Sequence, residues 1–423
     1  MTSHAPTELP AADWKRMLLI MFFAESITMV GFSVMFPFLP LYVKSLGAST
    51  GLSIELLAGL AYSGQAVTMA IASPFWGALA DRYGRKLMVE RSMYGGVVIM
   101  LLMAFVQSAE QLVILRTVQG LITGTVGAAN ALVAAAVPRR HTGYAMGLLQ
   151  VGMGAGLAVG PLIGGAVADA IGYYAAFYLT SALLLVAGVL VTFGVKEHFS
   201  PAEAGAGLAL GFVAEWRHIL SAPGVVVTYA LRFMSQLGRN MLLPVAPLFV
   251  QLLMADTGQV NTFTGLVVGA GSLSATVSGV YLGRLGDRAG HRRILIFSAL
   301  LAALFYLPHS LVTTGWQLLV LQALVGVFLG GMVPAISALL ARYTQAGEEG
   351  AAYGLDNSIT SAARAVAPLL GAGIAVRLGL RATFVVTAVI YLIAGGVAAL
   401  TLESARTAQP APLQRLKRRL RGD

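Results

Sequence analysis

The chain has 423 residues, of which 57% are hydrophobic and 11% charged, and its mean hydropathy is +0.79. A soluble domain is roughly 45–50% apolar, so this composition excludes an ordinary soluble globule, and the net charge of +10 is not the footprint of a nucleic-acid binder. With no cysteine and only six histidines, disulfides and thiol chemistry are excluded and neither a resident metal nor a cofactor is expected.

Apolar runs of about 20 residues recur along the chain, each long enough to cross a hydrocarbon core ~30 Å thick. Twelve membrane helices are expected, near residues 17–43, 55–80, 87–107, 111–136, 143–169, 173–195, 223–251, 262–285, 293–312, 317–341, 350–376 and 381–402. The first is too long for a signal-peptide core and lacks a small-residue cleavage site, so it reads as a retained helix. It carries Glu25 and the stretch "GFSVMFPFLP" with Phe32 and Phe36. Between helices 2 and 3, "GALADRYGRK" crowds Gly77, Asp81, Arg82, Gly84, Arg85 and Lys86 into one turn. Its glycines permit tight turning and close helix packing, and Asp81 suits the positive end of another helix or an arginine. The turn reads either as a conformational latch or as a loop that only holds positive charge on one side.

Helix 4 carries Arg116 and Gln119 in "RTVQGLITG", and helix 5 carries Gly147, Gly156, Gly160, Pro161, Gly164 and Gly165. Glycines four apart make a flat strip for a close helix neighbour, either a movable seam between halves or an ordinary small-residue packing face. Residues 196–222 mix Glu, Pro, Gly and Trp and read as a linker. Helix 7 places Arg232, Gln236 and Arg239 on one face, at i, i+4 and i+7. A second charged turn, "GRLGDRAGHRR", brings Gly283, Asp287, Arg288 and Gly290 between helices 8 and 9. Helix 11 holds Asp356, Asn357 and Arg364, and the basic segment 403–423 reads as an interfacial helix or a disordered arm on anionic lipid.

Most of the 28 basic residues fall on one side of the membrane if the N-terminus is inside, which puts both termini in the cytoplasm. The two halves also repeat. Pro37 and Pro40 return as Pro244 and Pro247, Pro161 and Gly164 as Pro368 and Gly371, and Asp81 as Asp287, with an offset of 206 or 207. Six helices per half enter the membrane in the same direction, related by an axis along the membrane normal. The expected organisation is a bundle at 1–195, the linker 196–222, a second bundle at 223–402 and the tail 403–423. The charged turn occurs twice because the bundle is duplicated.

Six-plus-six topology with "GALADRYGRK" after helix 2 resembles the major facilitator superfamily over nearly the whole chain. The helix 1 stretch and the helix 5 glycines resemble the superfamily's twelve-helix drug:proton antiporters in particular. The resemblance implies an all-α fold of two six-helix bundles in a bacterial inner membrane, and proton-coupled efflux of amphiphilic small molecules by alternating access. A proton-coupled importer, a uniporter or a lipid flippase is the alternative. It also implies that helices 1, 4, 7 and 10 line the cavity, that the helix 2–3 turn latches against helix 11, and that the helix 5 glycines form the antiporter seam. No HExxH or GxxxxGK[ST] occurs, so neither an enzyme nor an ATP-driven pump is expected.

A charge near the bilayer centre costs on the order of 2.5–3.5 kcal/mol on insertion scales, so such residues face a partner or a cavity. Glu25, Arg116, Arg232, Arg239, Asp356 and Arg364 are in this position. Glu25 reads as the proton carrier opposed by Arg116, or as one half of a permanent ion pair with it. Asp356 is the next candidate for proton coupling, or a structural partner of the turns. Phe32, Phe36, Gln119 and Gln236 complete the expected substrate cavity, although the aromatic side chains fit lipid or packed helices equally. Three arginines to one acid suit an anionic or zwitterionic substrate. Protons and membrane lipids are the other expected partners, and a monomer is the expected state.

Overall fold

The computed structural model describes residues 11–138, 141–197, 219–221, 224–254, 257–343 and 349–402. Most of the expected linker and the whole basic tail lie outside these residues. The first half comprises α1a (Ala11–Val34), α1b (Leu39–Leu46), α2 (Ile54–Tyr83), α3 (Arg85–Met103), α4a (Ala109–Ile122), α4b (Thr125–Ala136), α5 (Thr142–Ala170) and α6 (Tyr173–Gly194). The second comprises α7a (Val225–Met241), α7b (Ala246–Leu253), α8 (Val260–Ala289), α9 (His291–Tyr306), α10 (Gly315–Tyr343), α11 (Glu349–Leu378) and α12 (Leu380–Thr401). Among the described residues there is no strand.

Among the described residues, ten helices are long and apolar enough to cross a membrane. Of the twelve expected, α3 and α7 fall short for local reasons. Helix α3 opens with Arg85, Lys86, Glu90 and Arg91, and α7 is divided into a 17-residue and an 8-residue piece. Both pack with the rest of their bundles.

The interruptions repeat between halves. Helices α1 and α7 break at 35–38 and 242–245, where Pro37 and Pro244 remove a backbone donor and crowd the preceding turn. Helix α4 breaks at Thr123–Gly124, where Gly124 adopts φ +153° and donates its N–H to Ser92 Oγ at 3.0 Å. Helix α10 has no such break.

Close packing repeats as well. A Cβ on Gly164 would strike the Val34 carbonyl of α1a, and one on Gly371 would strike the Met241 carbonyl of α7a. Both pairs sit at matching places in the repeat. Each half has its own buried apolar core, with Met35, Phe38 and Phe177 in the first and Phe249, Tyr306 and Tyr391 in the second.

The halves meet through α5 with α8 and through α2 with α11. Gly165 abuts the Asn261 and Thr262 backbone, Gly265 abuts the Pro161 carbonyl, and Gly59 faces Pro368 and Ala372. Lys44 of α1b donates to Gln251 Oε1 of α7b at 2.7 Å, a bond between two repeat-related positions 207 residues apart. All these contacts lie at the end of the bundles opposite the charged turns. The deepest, Gly154 with Thr276, is about halfway along α5 and α8. At the charged-turn end, a Cβ on Gly77 would meet nothing within 4 Å, and Tyr144 and Tyr281 are 65% and 68% exposed. The two bundles are therefore joined at one end and parted at the other.

Candidate functional site

The second half contributes a cationic cluster. Arg232 Nη2 lies 3.0 Å from Asp356 Oδ2, joining α7a to α11. Arg364, two turns further along α11, is close enough to Arg239 and Arg232 to feel both charges. Arg239 and Arg364 remain exposed although they sit on packed helices, so they face the opening between the halves. Arg364 precedes Pro368, which touches Gly59 across the halves, by one turn. Arg239 and Arg364 thus lie toward the closed end, and the Arg232–Asp356 pair lies about two turns nearer the charged-turn end. Tyr391 of α12 braces α7a between the two arginines: its ring packs on Gly238, and its hydroxyl donates to the Ser235 carbonyl at 3.1 Å.

The first half holds its charges differently. Arg116 on α4a is 2% exposed and donates to Gln119 Oε1 at 2.7 Å and to Met35 Sδ at 2.9 Å, with its guanidinium 5.6 Å from the Tyr62 ring centre. Glu25 is 1% exposed, and neither of its carboxylate oxygens has a hydrogen-bond partner. It precedes Met35 by ten residues, about 15 Å of helix at 1.5 Å per residue. The alternative reading, a permanent Glu25–Arg116 ion pair, is not met: neither Glu25 oxygen contacts Arg116. Arg116 docks at the level of the α1 break, and Glu25 lies deeper in the bundle.

The chain matches the family profile of the Major Facilitator Superfamily twice, over residues 21–249 and 228–422. The chain belongs to the Major Facilitator Superfamily. It is 37% identical over 381 residues to the multidrug resistance protein MdtG of Serratia proteamaculans, covering 90% of this chain and 92% of that protein. It is 36% identical over 389 residues to MdtG of Salmonella typhimurium, covering 92% and 95%. Among solved structures, a bacterial homologue of the human lysosomal transporter Spinster aligns with a TM-score of 0.75 at 13% identity, covering 93% of this chain and 98% of that one. The human organic anion transporter MFSD10 aligns with a TM-score of 0.67 at 17% identity, covering 92% and 100%. These structures share the fold. As a superfamily member the chain is a multi-pass membrane protein and a secondary transporter, not an enzyme.

Several expected site residues are placed differently in this superfamily member. Phe32 reaches Gly96 of α3, and Phe36 packs against the edge of the first-half core; both are half-buried. Arg116 and Gln119 are buried inside their bundle, whereas Arg232, Arg239 and Arg364 are not. Gln236 is 9% exposed beside the arginines. In the glycine set, Gly156, Gly160 and Gly164 pack on Met29, Val30, Ser33 and Val34 of α1a, within one half. Residues four apart share one helix face, and that face is turned to α1a. Gly165 and the Pro161 carbonyl alone among the set meet α8, and Gly147 has nothing within 4 Å of an added Cβ.

In the first charged turn, Lys86 Nζ donates to the Thr192 carbonyl at 2.8 Å, and the Arg85 and Lys86 N–H groups donate to Glu197 at 2.9 and 2.8 Å. Glu197 thereby caps the N-terminus of α3. The second turn repeats the first contact, with Arg292 donating to the Ala399 carbonyl. Asp287 lies 3.3 Å from His291, and Arg288 is exposed. The Asp81 side chain lies outside the described residues.

Sequence reasoning missed Asp169. Its carboxylate accepts from Asn261 Nδ2 at 2.6 Å, from the Thr262 N–H at 2.6 Å and from the Asn261 N–H at 3.2 Å, across the halves. An acid in the last turn of α5 opposite the first turn of α8 was the available signal.

Proposed function

We propose that this transporter is a proton-coupled antiporter that exports amphiphilic, anionic or zwitterionic small molecules across a bacterial inner membrane. The observation that carries the reading is Glu25, a carboxyl buried in the first half with both oxygens unpartnered. Burying a bare carboxylate costs several kcal/mol, and a bound proton removes that charge. Rocking of the bundles that brings water or a cation to Glu25 releases the proton. Its separation from Arg116 supports a group free to load and unload rather than one locked in a permanent pair.

Resemblance to proteins named for multidrug resistance supports export, and the cluster of Arg232, Arg239 and Arg364 favours a substrate with negative charge. With the charged turns and both termini in the cytoplasm, the opening faces inward and the α5–α8 contact is the outer closure. Asp81 and its turn then belong to the state in which the cytoplasmic ends come together.

The test is transport in proteoliposomes with an imposed pH gradient and a panel of anionic, zwitterionic and cationic amphiphiles. Substrate must move against the proton flow. Accumulation in the same direction as protons favours the importer, and indifference of the whole panel to the gradient refutes coupling.

A further inference from the structure

The ion pair between Arg232 and Asp356 stands out in the second half because it is incomplete. Only one oxygen of Asp356 contacts one nitrogen of Arg232; Asp356 Oδ1 and Arg232 Nε have no partner. A guanidinium and a carboxylate bind most strongly through two parallel hydrogen bonds, and this pair uses one. The two side chains are partly exposed, at 14% and 21%, while the unpartnered Asp356 Oδ1 and Arg232 Nε are themselves buried.

The neighbourhood is unbalanced as well. Three arginines face one aspartate, and Arg364 lies within reach of the charges of both Arg232 and Arg239. Like charges gathered close together repel, so a further anion relieves the cluster and a cation worsens it. The nearby phenols do not supply that anion or compete for it. Tyr229, beside Asp356, donates its hydroxyl to the Ala352 carbonyl at 3.0 Å, and Tyr391 donates to the Ser235 carbonyl.

We infer that Asp356 is a tethered stand-in for the substrate's acidic group: an amphiphile bearing one carboxylate displaces Asp356 from Arg232 and is held jointly by Arg232, Arg239 and Arg364. This rests on the reading of the opening as the substrate cavity, but it does not depend on proton coupling or on transport direction. Asp356 sets affinity by competition. Without cargo it keeps Arg232 partly neutralised, and with cargo it lets go, so the acid weakens binding enough for release.

Equilibrium binding of a matched probe pair tests it: dansylaminoundecanoic acid and its uncharged primary amide, measured by fluorescence on the purified full chain in nanodiscs. Wild-type protein should bind the acid more tightly than the amide. Asp356→Asn removes the competitor and should tighten the acid about tenfold, the worth of roughly 1.4 kcal/mol, while moving the amide less than about twofold. Arg239→Gln, outside the ion pair, should weaken the acid about tenfold and spare the amide. Weaker acid binding by a folded Asp356→Asn protein, or no change in its acid-to-amide ratio, overturns the proposal. If that variant does not fold, equal binding of acid and amide by wild type, or an unchanged ratio in Arg239→Gln, overturns it instead. Because no gradient is applied, failure of proton-driven export leaves this result standing; failure to bind either probe refutes the cavity reading as well.

Discussion

Asp169 of α5 and Asn261 of α8 are joined by a 2.6 Å hydrogen bond across the two halves, and the same carboxylate caps the start of α8 through Thr262. With the Asn261 N–H it accepts three hydrogen bonds across the halves at the closed end of the bundles. A further polar link there, Lys44 with Gln251, joins repeat-related residues at the pseudo-symmetry axis.

Removing the Asp169 carboxylate should loosen that closure. A hydrogen bond to a charged group contributes about 1.5–3 kcal/mol, so Asp169→Ala should shift the conformational equilibrium about tenfold or more away from the state with the α5–α8 end closed. The chain has no cysteine, so the pair Lys44→Cys and Gln251→Cys reports on the shift directly. Disulfide formation should be rapid with Asp169 present and several-fold slower in Asp169→Ala.

Glycine substitutions should separate packing within a half from packing between halves. Gly164→Ala and Gly371→Ala drive a methyl into the carbonyls of Val34 and Met241, and should each cost about 1–3 kcal/mol in stability. Gly147→Ala meets open space and should leave thermal unfolding unchanged or slightly raised. Gly165→Ala should keep its bundle stable but disturb the α5–α8 closure, seen as slower cysteine crosslinking between positions 44 and 251.

Arg116 is expected to be structural first. Arg116→Gln strips Gln119 Oε1 of its donor inside the bundle, an unsatisfied polar group worth about 1–3 kcal/mol. Thermal unfolding of the purified variant should fall accordingly. Equal losses of stability in Arg116→Gln and in a Gln119→Leu/Arg116→Gln double variant would contradict the pairing.

The two charged turns should not be equivalent. Asp81→Asn is expected to populate further the form with parted charged-turn ends, because it removes the carboxylate assigned to the opposite state. Asp287→Asn should do less: its carboxylate faces His291, close by in sequence. Cysteine pairs across the charged-turn ends of α2 and α11 should crosslink less in Asp81→Asn than in wild type, and almost normally in Asp287→Asn.

The duplicated bundle was legible because its signals are local and repeated. Pro37 with Pro244, and Gly164 with Gly371, occupy matching breaks and contacts in the two halves. The cationic face of α7 was legible too, since Arg232, Gln236 and Arg239 follow helical spacing. The α5–α8 closure was not, because Asp169 and Asn261 correspond to Val376 and Ile54 in the repeat and the duplication carries no trace of them. The relation of Glu25 to Arg116 depends on how α1 docks against α4, which helical periodicity does not reveal. The glycine set of α5 was read as one seam, yet its 156/160/164 face and Gly165 point to different neighbours.

The central claim is that Glu25 carries the coupling proton. The direct measurement is simultaneous proton and substrate flux in proteoliposomes for wild type and Glu25→Gln, with substrate binding measured in parallel. Glutamine keeps the shape of the protonated acid, so binding should persist while substrate-driven proton movement and gradient-driven export both disappear. Uphill export by Glu25→Gln at the wild-type rate, with its proton flux intact, would contradict the account.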